Sequence, residues 1–431
     1  MHILFLTHYF TPENNAPAAR VHGMAREWAR SGHRVTVLTC APNVPAGVVY
    51  EGYKNKLIQQ EWIDGIRTLR VWTWLAANKG RVRRGLNYLS YLAAAGAAGP
   101  LVRPRADVVI ATSPQFFAGW AGWPVARAHG APFVLEIRDI WPDSIVAVGA
   151  LPDGRIIRTL ARLEKALYDG ADHIVAVGDG YRMNMIRKGV GPSKISVVTN
   201  GVDVDLFQPR EPDRGLRARL GLSDETFVVT FAGTIGMASD LGVVLDAARL
   251  LRGEGRDDIA FLLVGDGAQR ADLEARARAE GLPNVVFTGL VPRPELPAYL
   301  ASSDACLAHF RKQDLFQMIL PNKFFENAAM ERPILLGFEG EARAMLHEAD
   351  CGIAFEPSNP AALAAAAEQL ADTPPEERRR LGENGRRYVL EHFDRRRLAH
   401  DYLEILERVR AAHARGRRRA PSATPPPTAV P

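Results

Sequence analysis

The chain has 431 residues, 47% hydrophobic and 24% charged, which is ordinary globular composition and enough length for two or three domains. The net charge of +5 permits an anionic partner (a phosphate ligand, a membrane surface or a nucleic acid) without choosing one. The cysteines Cys40, Cys306 and Cys351 are far apart, lack metal-ligand spacing and read as reduced residues of a cytosolic protein, while the lack of an apolar run of about 18 residues argues against a transmembrane helix.

In chain order, MHILFLTHYF has no basic n-region and too short an apolar run for a signal peptide; it predicts a strand. A helix, ARVHGMAREWARSG, and a second strand, HRVTVLTC, follow. LNYLSYLAAAGAAGPLV (86–102), bounded by Arg81, Arg83, Arg84 and Arg103, fits either a buried Ala-rich helix or an interfacial membrane helix. ADVVIATS, PFVLEIRD, HIVAVGDG and KISVVTN are further strands with helical segments between them. Short apolar strands alternating with amphipathic helices predict a parallel sheet covered on both faces.

The polar, proline-punctuated stretch 200–215 interrupts this pattern, which then restarts with FVVTFAGTIG, LGVVLDAARLLR, IAFLLVGDG, RADLEARARAEG, VVFTGLV, ACLAHF and PILLGFEG. The predicted fold is therefore α/β, with two tandem Rossmann-like domains facing across a cleft: 1–200 and 201–393. Helix 394–412 should pack back on the first domain. Residues 413–431 should form a disordered basic, Pro-rich tail, solvated or touching anionic lipid.

Open parallel sheets bind ligands at the carboxyl ends of their strands. Gly233 and Gly236 in FAGTIG serve either the turn alone or a phosphate at a helix N-terminus. In LVGDG, Gly265 precedes Asp266, which reads as a helix cap. Asp203 and Asp205 form a bare D-x-D at a turn and read as a decoy for a metal site. EIRDIWPDS places Glu136, Arg138, Asp139 and Asp143 at one strand end, facing the cleft. In LPNKFFENAAM, a helix with Asn322 as N-cap puts Lys323, Glu326, Asn327 and Met330 on one side and Phe324, Phe325, Ala328 and Ala329 on the other. Lys323 and Glu326 are then either a surface ion pair or a diphosphate-and-ribose site at a helix start.

These motifs, with HYFTPENNAPAAR, NGVDVDLFQP and VPRPELPAYLASSDACL, resemble the retaining glycosyltransferases of family 4, of GT-B fold, and most closely the bacterial branch that builds surface polysaccharide on a lipid carrier. The resemblance implies a UDP- or other nucleotide-diphosphate donor on the second domain, carrying an N-acetylated hexosamine or a deoxysugar. It implies a lipid-diphosphate-linked acceptor on the first domain, no catalytic metal, no cofactor and no nucleic acid. Location would be cytoplasmic, peripheral on the inner membrane. Glu326 matches the family's ribose-binding glutamate, whereas the first glutamate of that pair is replaced by Met318. Thr234 and Ser239 replace the usual Arg and Lys, which makes Lys323 the expected diphosphate cation, with Arg311 and Lys312 behind it. Val291 matches the base-reading position, Arg138 falls near a sugar-contacting histidine, and Asp139 is expected to orient Arg138 or the acceptor. Asn14, Asn15 and Arg20 are expected on the acceptor-side loop. The competing expectations are a nucleotide-sugar epimerase of the same fold and a non-catalytic nucleotide-sugar-binding partner.

Overall fold

A computed structural model describes residues 1–13, 15–44, 46–76, 81–113, 115–147 and 154–419. The first sheet contains β1 (His2–Leu6), β2 (Arg34–Cys40), β3 (Ile58–Ile63), β4 (Ile66–Val71), β5 (Val108–Thr112), β6 (Phe133–Ile137), β7 (His173–Ala176) and β8 (Ile195–Val197), in the order β3-β4-β2-β1-β5-β6-β7-β8. Its central strands HILFL, VVIAT and FVLEI are buried at every position. Such runs are stable only with both faces covered, which is the parallel arrangement found. The second sheet contains β9 (Phe227–Ala232), β10 (Ile259–Val264), β11 (Val285–Gly289), β12 (Ala305–His309), β13 (Ile334–Gly337) and β14 (Gly352–Ala354), all parallel, in the order β11-β10-β9-β12-β13-β14.

The hairpin β3–β4 is absent from the strands expected from the sequence. Its turn is Asp64-Gly65, both in the left-handed region (φ 49° and 79°), as a two-residue turn matching strand twist requires. β3 alternates exposed and half-buried residues, so it carries no apolar run. It is also the antiparallel edge of the sheet.

Strand order reverses between β1 and β5 and again between β9 and β12. A ligand crevice opens outside the strand ends at such switch points. Helix α1 (Ala16–Arg30) follows β1, and helix α2 (Arg81–Ala98) precedes β5. α2 buries Asn87, Tyr91 and Ala95 on one stripe, and the Tyr91 hydroxyl donates to Leu38 O at 2.8 Å. Leu86 and Leu89 lie on its exposed side. The helix is thus packed on the sheet and amphipathic, rather than buried all round.

The C-terminal helix Arg395–Arg419 returns to the first sheet. Leu398, Tyr402 and Leu406 join the core cluster of Val21, Met24 and Trp28, and Trp28 Nε1 donates to Ala399 O at 2.8 Å. The helix continues beyond the expected end at 412 because Arg417 Nη1 donates to Gly130 O at 2.6 Å and His413 lies 3.7 Å from Asp172. Residues 420–431 of the expected tail lie outside the described residues.

The two halves also meet on the cleft side. Met318 packs on Gly180 in the first turn of the helix Asp179–Arg187, where a Cβ would collide with the Met318 Cβ. Gly180 N donates to Glu341 Oε2 at 3.3 Å.

Candidate active site

β9 leads into a loop that turns at Gly233 (φ 145°), and β10 into Gly265 (φ 141°). The backbones of these loops touch: a Cβ on Gly265 would strike Gly233 O. Glycine is therefore required at Gly265 to support the Gly233 loop, and Gly233 N donates to Val264 O at 2.9 Å. Gly233 and Thr234 are exposed at the cleft, and Gly236 is half-buried.

Lys323 lies against Gly233, whose φ of 145° is the reason for glycine at this turn. A Cβ there would lie 3.5 Å from Lys323 Nζ. The ammonium stands 3.7 Å from the Phe231 ring centroid and 5.5 Å from that of Phe310. Among the described residues it has no carboxylate partner within 4 Å. Burial between these rings pushes its pKa down to about 7, with the charge of Glu326 opposing the shift.

Pro321, not Asn322, is the N-cap of the helix Asn322–Ala329. The extended backbone of Pro321 (φ −73°, ψ 131°) opens the helix one residue earlier than expected, so no side chain caps the first turn. Asn322 is its first residue, and its Oδ1 is buried without a hydrogen-bond partner among the described residues. Phe324, Phe325, Ala328 and Ala329 are buried, as the wheel predicts, whereas Asn327 and Met330 are also buried and leave the polar side to Lys323 and Glu326.

Glu326 pairs with Arg293, whose Nη2 lies 2.7 Å from its Oε1. Arg293 in turn rests over the Phe207 ring at 5.2 Å and follows half-buried Val291 in the loop after β11. Sequence reasoning missed Arg293; its only signal was a basic residue two places beyond Val291. It also missed His309 at the end of β12. His309 is fully buried, with Nδ1 2.8 Å from Ser239 O and Nε2 accepting from Ser358 N at 3.0 Å. Burial lowers its pKa, so the ring is neutral and ties the loop 234–240 to Ser358. Ser239 is buried, and its hydroxyl donates to Thr234 O at 2.7 Å. Of the weaker cation candidates, Lys312 pairs with Glu356 and Arg311 lies 3.7 Å from Asp240. A cavity of about 190 Å³ beside them is lined by Phe310, Arg311, Phe316, Gln317, Phe338 and Glu339.

On the first sheet the four charges of EIRDIWPDS separate. Glu136 is fully buried, paired with Arg20 at 2.9 Å and accepting from Thr112 Oγ1 at 2.7 Å. Asp143 pairs with Lys188 at 2.9 Å. Arg20 is thus not a loop residue. It lies inside α1, 3% exposed, and also donates to Val198 O and Thr199 O, because its guanidinium neutralises the buried Glu136 and caps the end of β8. Asn15 is the N-cap of α1, accepting from Ala18 N at 2.9 Å; Asn14 lies outside the described residues. Asp203 and Asp205 are engaged by arginines, Asp203 by Arg26 at 3.2 Å and Asp205 by Arg396.

Arg138 and Asp139 remain at the cleft but do not pair with each other. Arg138 Nη1 donates to Pro17 O at 3.2 Å, its Nε is buried without a partner among the described residues, and burial lowers its pKa to about 10. Asp139 accepts from Ser144 Oγ at 3.2 Å, and burial raises its pKa. Beside them, the Tyr9 and Tyr88 hydroxyls are 3.3 Å apart, and Tyr88 OH accepts from Arg84 Nε at 3.0 Å.

The second half therefore offers a lysine with no carboxylate partner among the described residues over an open glycine loop, with a carboxylate one turn along the same helix. The first half offers a guanidinium, a carboxyl group and tyrosine hydroxyls beside its own switch point. Two Rossmann-type sheets meeting in this way have the GT-B fold.

Known proteins agree. The family model for the glycosyl transferase 4-like domain matches residues 15–201, and that for glycosyl transferases group 1 matches residues 226–373. The chain belongs to glycosyltransferase family 4. It is 28% identical over 308 residues (69% of this chain, 74% of the relative) to WcaI of Escherichia coli strain K12, a protein named for colanic acid biosynthesis. It is 26% identical over 275 residues (62% of this chain, 67% of the relative) to WbjE of Pseudomonas aeruginosa, named as a glycosyltransferase. The fold is shared with Anabaena HepE in complex with UDP-glucose, at TM-score 0.70 and 17% identity, covering 94% of this chain and 99% of that one.

Proposed function

We propose that the protein transfers a sugar, with retention of anomeric configuration, from a UDP- or related nucleotide-diphosphate donor to a lipid-diphosphate-linked saccharide in bacterial polysaccharide biosynthesis. The transfer would run on the cytoplasmic face of the inner membrane, without metal or cofactor. The observation that carries this reading is Lys323, a cation with no carboxylate partner among the described residues, held over Gly233 at the start of a helix. A departing diphosphate needs positive charge and N–H donors placed in advance, and this corner supplies both.

In this reading Glu326, held by Arg293, keeps an oxygen for the ribose hydroxyls, and Val291 lies beside the base. Lys323 takes the developing charge of the leaving diphosphate. The acceptor hydroxyl enters from the first sheet's switch point, near Arg138 and Asp139. Front-face attack, with the leaving diphosphate as base, requires no enzyme nucleophile. Met318 stands where relatives carry a sugar-binding glutamate and faces Gly180 instead, so the sugar is held by other groups.

The test is to incubate the protein with a panel of nucleotide sugars, selected by thermal stabilisation, and a lipid-diphosphate acceptor, then to assign the product anomer by NMR. A product with the donor's configuration is expected. An inverted product, or isomerised nucleotide sugar without acceptor, would overturn the reading.

A further inference from the structure

Residues 48–105 hold ten Lys/Arg against three Asp/Glu; of these, Arg70 is buried in a pair with Glu61 and Lys79 lies outside the described residues, which still leaves a basic excess. The same stretch exposes large apolar side chains: Leu57 is 85% exposed, Ile58 55%, Trp72 39%, Trp74 50%, Leu86 46% and Leu89 47%. Hydrogen bonds join the segments that bear them. Trp72 N donates to Leu57 O at 3.2 Å, Asn55 Nδ2 to Thr73 O at 2.8 Å, Trp74 N to Ser90 Oγ at 2.8 Å and Asn87 Nδ2 to Trp74 O at 2.7 Å. The start of β3, the chain after β4 and the outer side of α2 therefore form one surface. Lys54, Lys56, Arg83 and Arg84 are exposed in the same segments.

The geometry points to this surface as a docking face for an anionic lipid bilayer. The inference rests on the reading of a lipid-linked acceptor and gives that acceptor a route. Tryptophans and leucines among cationic side chains suit the interface of a membrane, where the rings enter the headgroup layer and the cations meet lipid phosphates. A second copy of the same face would bring one positive excess against another. α2 also joins this surface to the cleft: Leu86 and Leu89 look outward, while Tyr88 meets Tyr9 at the end of β1. An acceptor whose lipid stays in the bilayer would thus present its head group to the first sheet's switch point.

The test is co-sedimentation of the full chain with phosphatidylcholine vesicles, with and without phosphatidylglycerol. Two variants are compared, Trp74→Ser/Leu86→Ser/Leu89→Ser and Lys54→Glu/Lys56→Glu/Arg83→Glu. The wild type is expected to bind the anionic vesicles, and each variant to lose at least about tenfold in partitioning, with unchanged melting temperature because the side chains are exposed. Thermal stabilisation by UDP, measured on the same samples, is expected to be equal in all three proteins. Its failure would count against the donor site and not against this surface. Wild-type binding unaffected by either variant, or no binding to anionic vesicles, would overturn the proposal. So would a concentration-dependent dimer that the variants dissolve.

Discussion

Arg293 donates to Glu326 across 2.7 Å, from the loop after β11 to the helix Asn322–Ala329. The pair is only partly exposed, at 24% and 14% for the two side chains, so the bond keeps part of its strength. It fixes one carboxylate oxygen and leaves the other directed by the first. Arg293→Ala is expected to raise KM for the donor about tenfold with a smaller change in kcat, and Arg293→Lys to recover part of it. An Arg293→Ala enzyme with wild-type KM would show that Glu326 needs no orienting partner.

Lys323 gives a pH signature. Its pKa is about 7 in the free protein, and a bound diphosphate favours the charged form. Donor binding should therefore take up a proton around pH 7 to 8 and weaken as pH rises above about 7. Calorimetry of UDP binding in buffers of different ionisation enthalpy measures the uptake directly. Lys323→Ala should abolish it and lower kcat/KM by about two to three orders of magnitude.

His309 gives the opposite kind of test, on stability. Its folded pKa lies below the ordinary 6.5, so between these values the unfolded chain binds more protons. Its contribution is complete above about pH 6.5 and is lost as pH falls below it. His2, His8 and His173 are also depressed by burial and add to the slope. His309→Gln should therefore lower stability at pH 8 and flatten, without removing, the fall of melting temperature between pH 6.5 and 5. An unchanged slope would place the His309 ring outside the titrating set.

Gly180 and Met318 test the contact between the halves. A methyl group at Gly180 overlaps Met318, and overpacking typically costs about 1–3 kcal/mol. The two halves can part to relieve it. Gly180→Ala is expected to enlarge the radius of gyration in small-angle scattering and lower kcat, and Gly180→Ala/Met318→Gly, which removes the Cβ that the methyl meets, to restore part of both. If the single variant scattered and turned over like the wild type, the contact would have no part in closure.

Much of the fold was legible because its signals are local. A run such as VVIAT needs two covered faces whatever surrounds it, and two series of such runs broken at 200–215 give two sheets. The helical period likewise put Lys323 and Glu326 on the side opposite Phe324 and Phe325, as observed. Where periodicity was weak the reading failed: the exposed edge β3 and the Asp64-Gly65 turn carried no apolar run.

The sequence by itself determined the α/β alternation, the two Rossmann-like units and the apolar backs of their helices, since each follows from neighbouring residues. Tertiary structure alone decided what each charged side chain meets. Glu136 found Arg20 across 116 positions and became a buried structural pair, while Glu326 found Arg293 across 33 and stayed at the cleft. Periodicity says which face a residue occupies. Only the packed chain sets what stands opposite, because a charge withdrawn from water is stable only beside a partner that the fold brings to it.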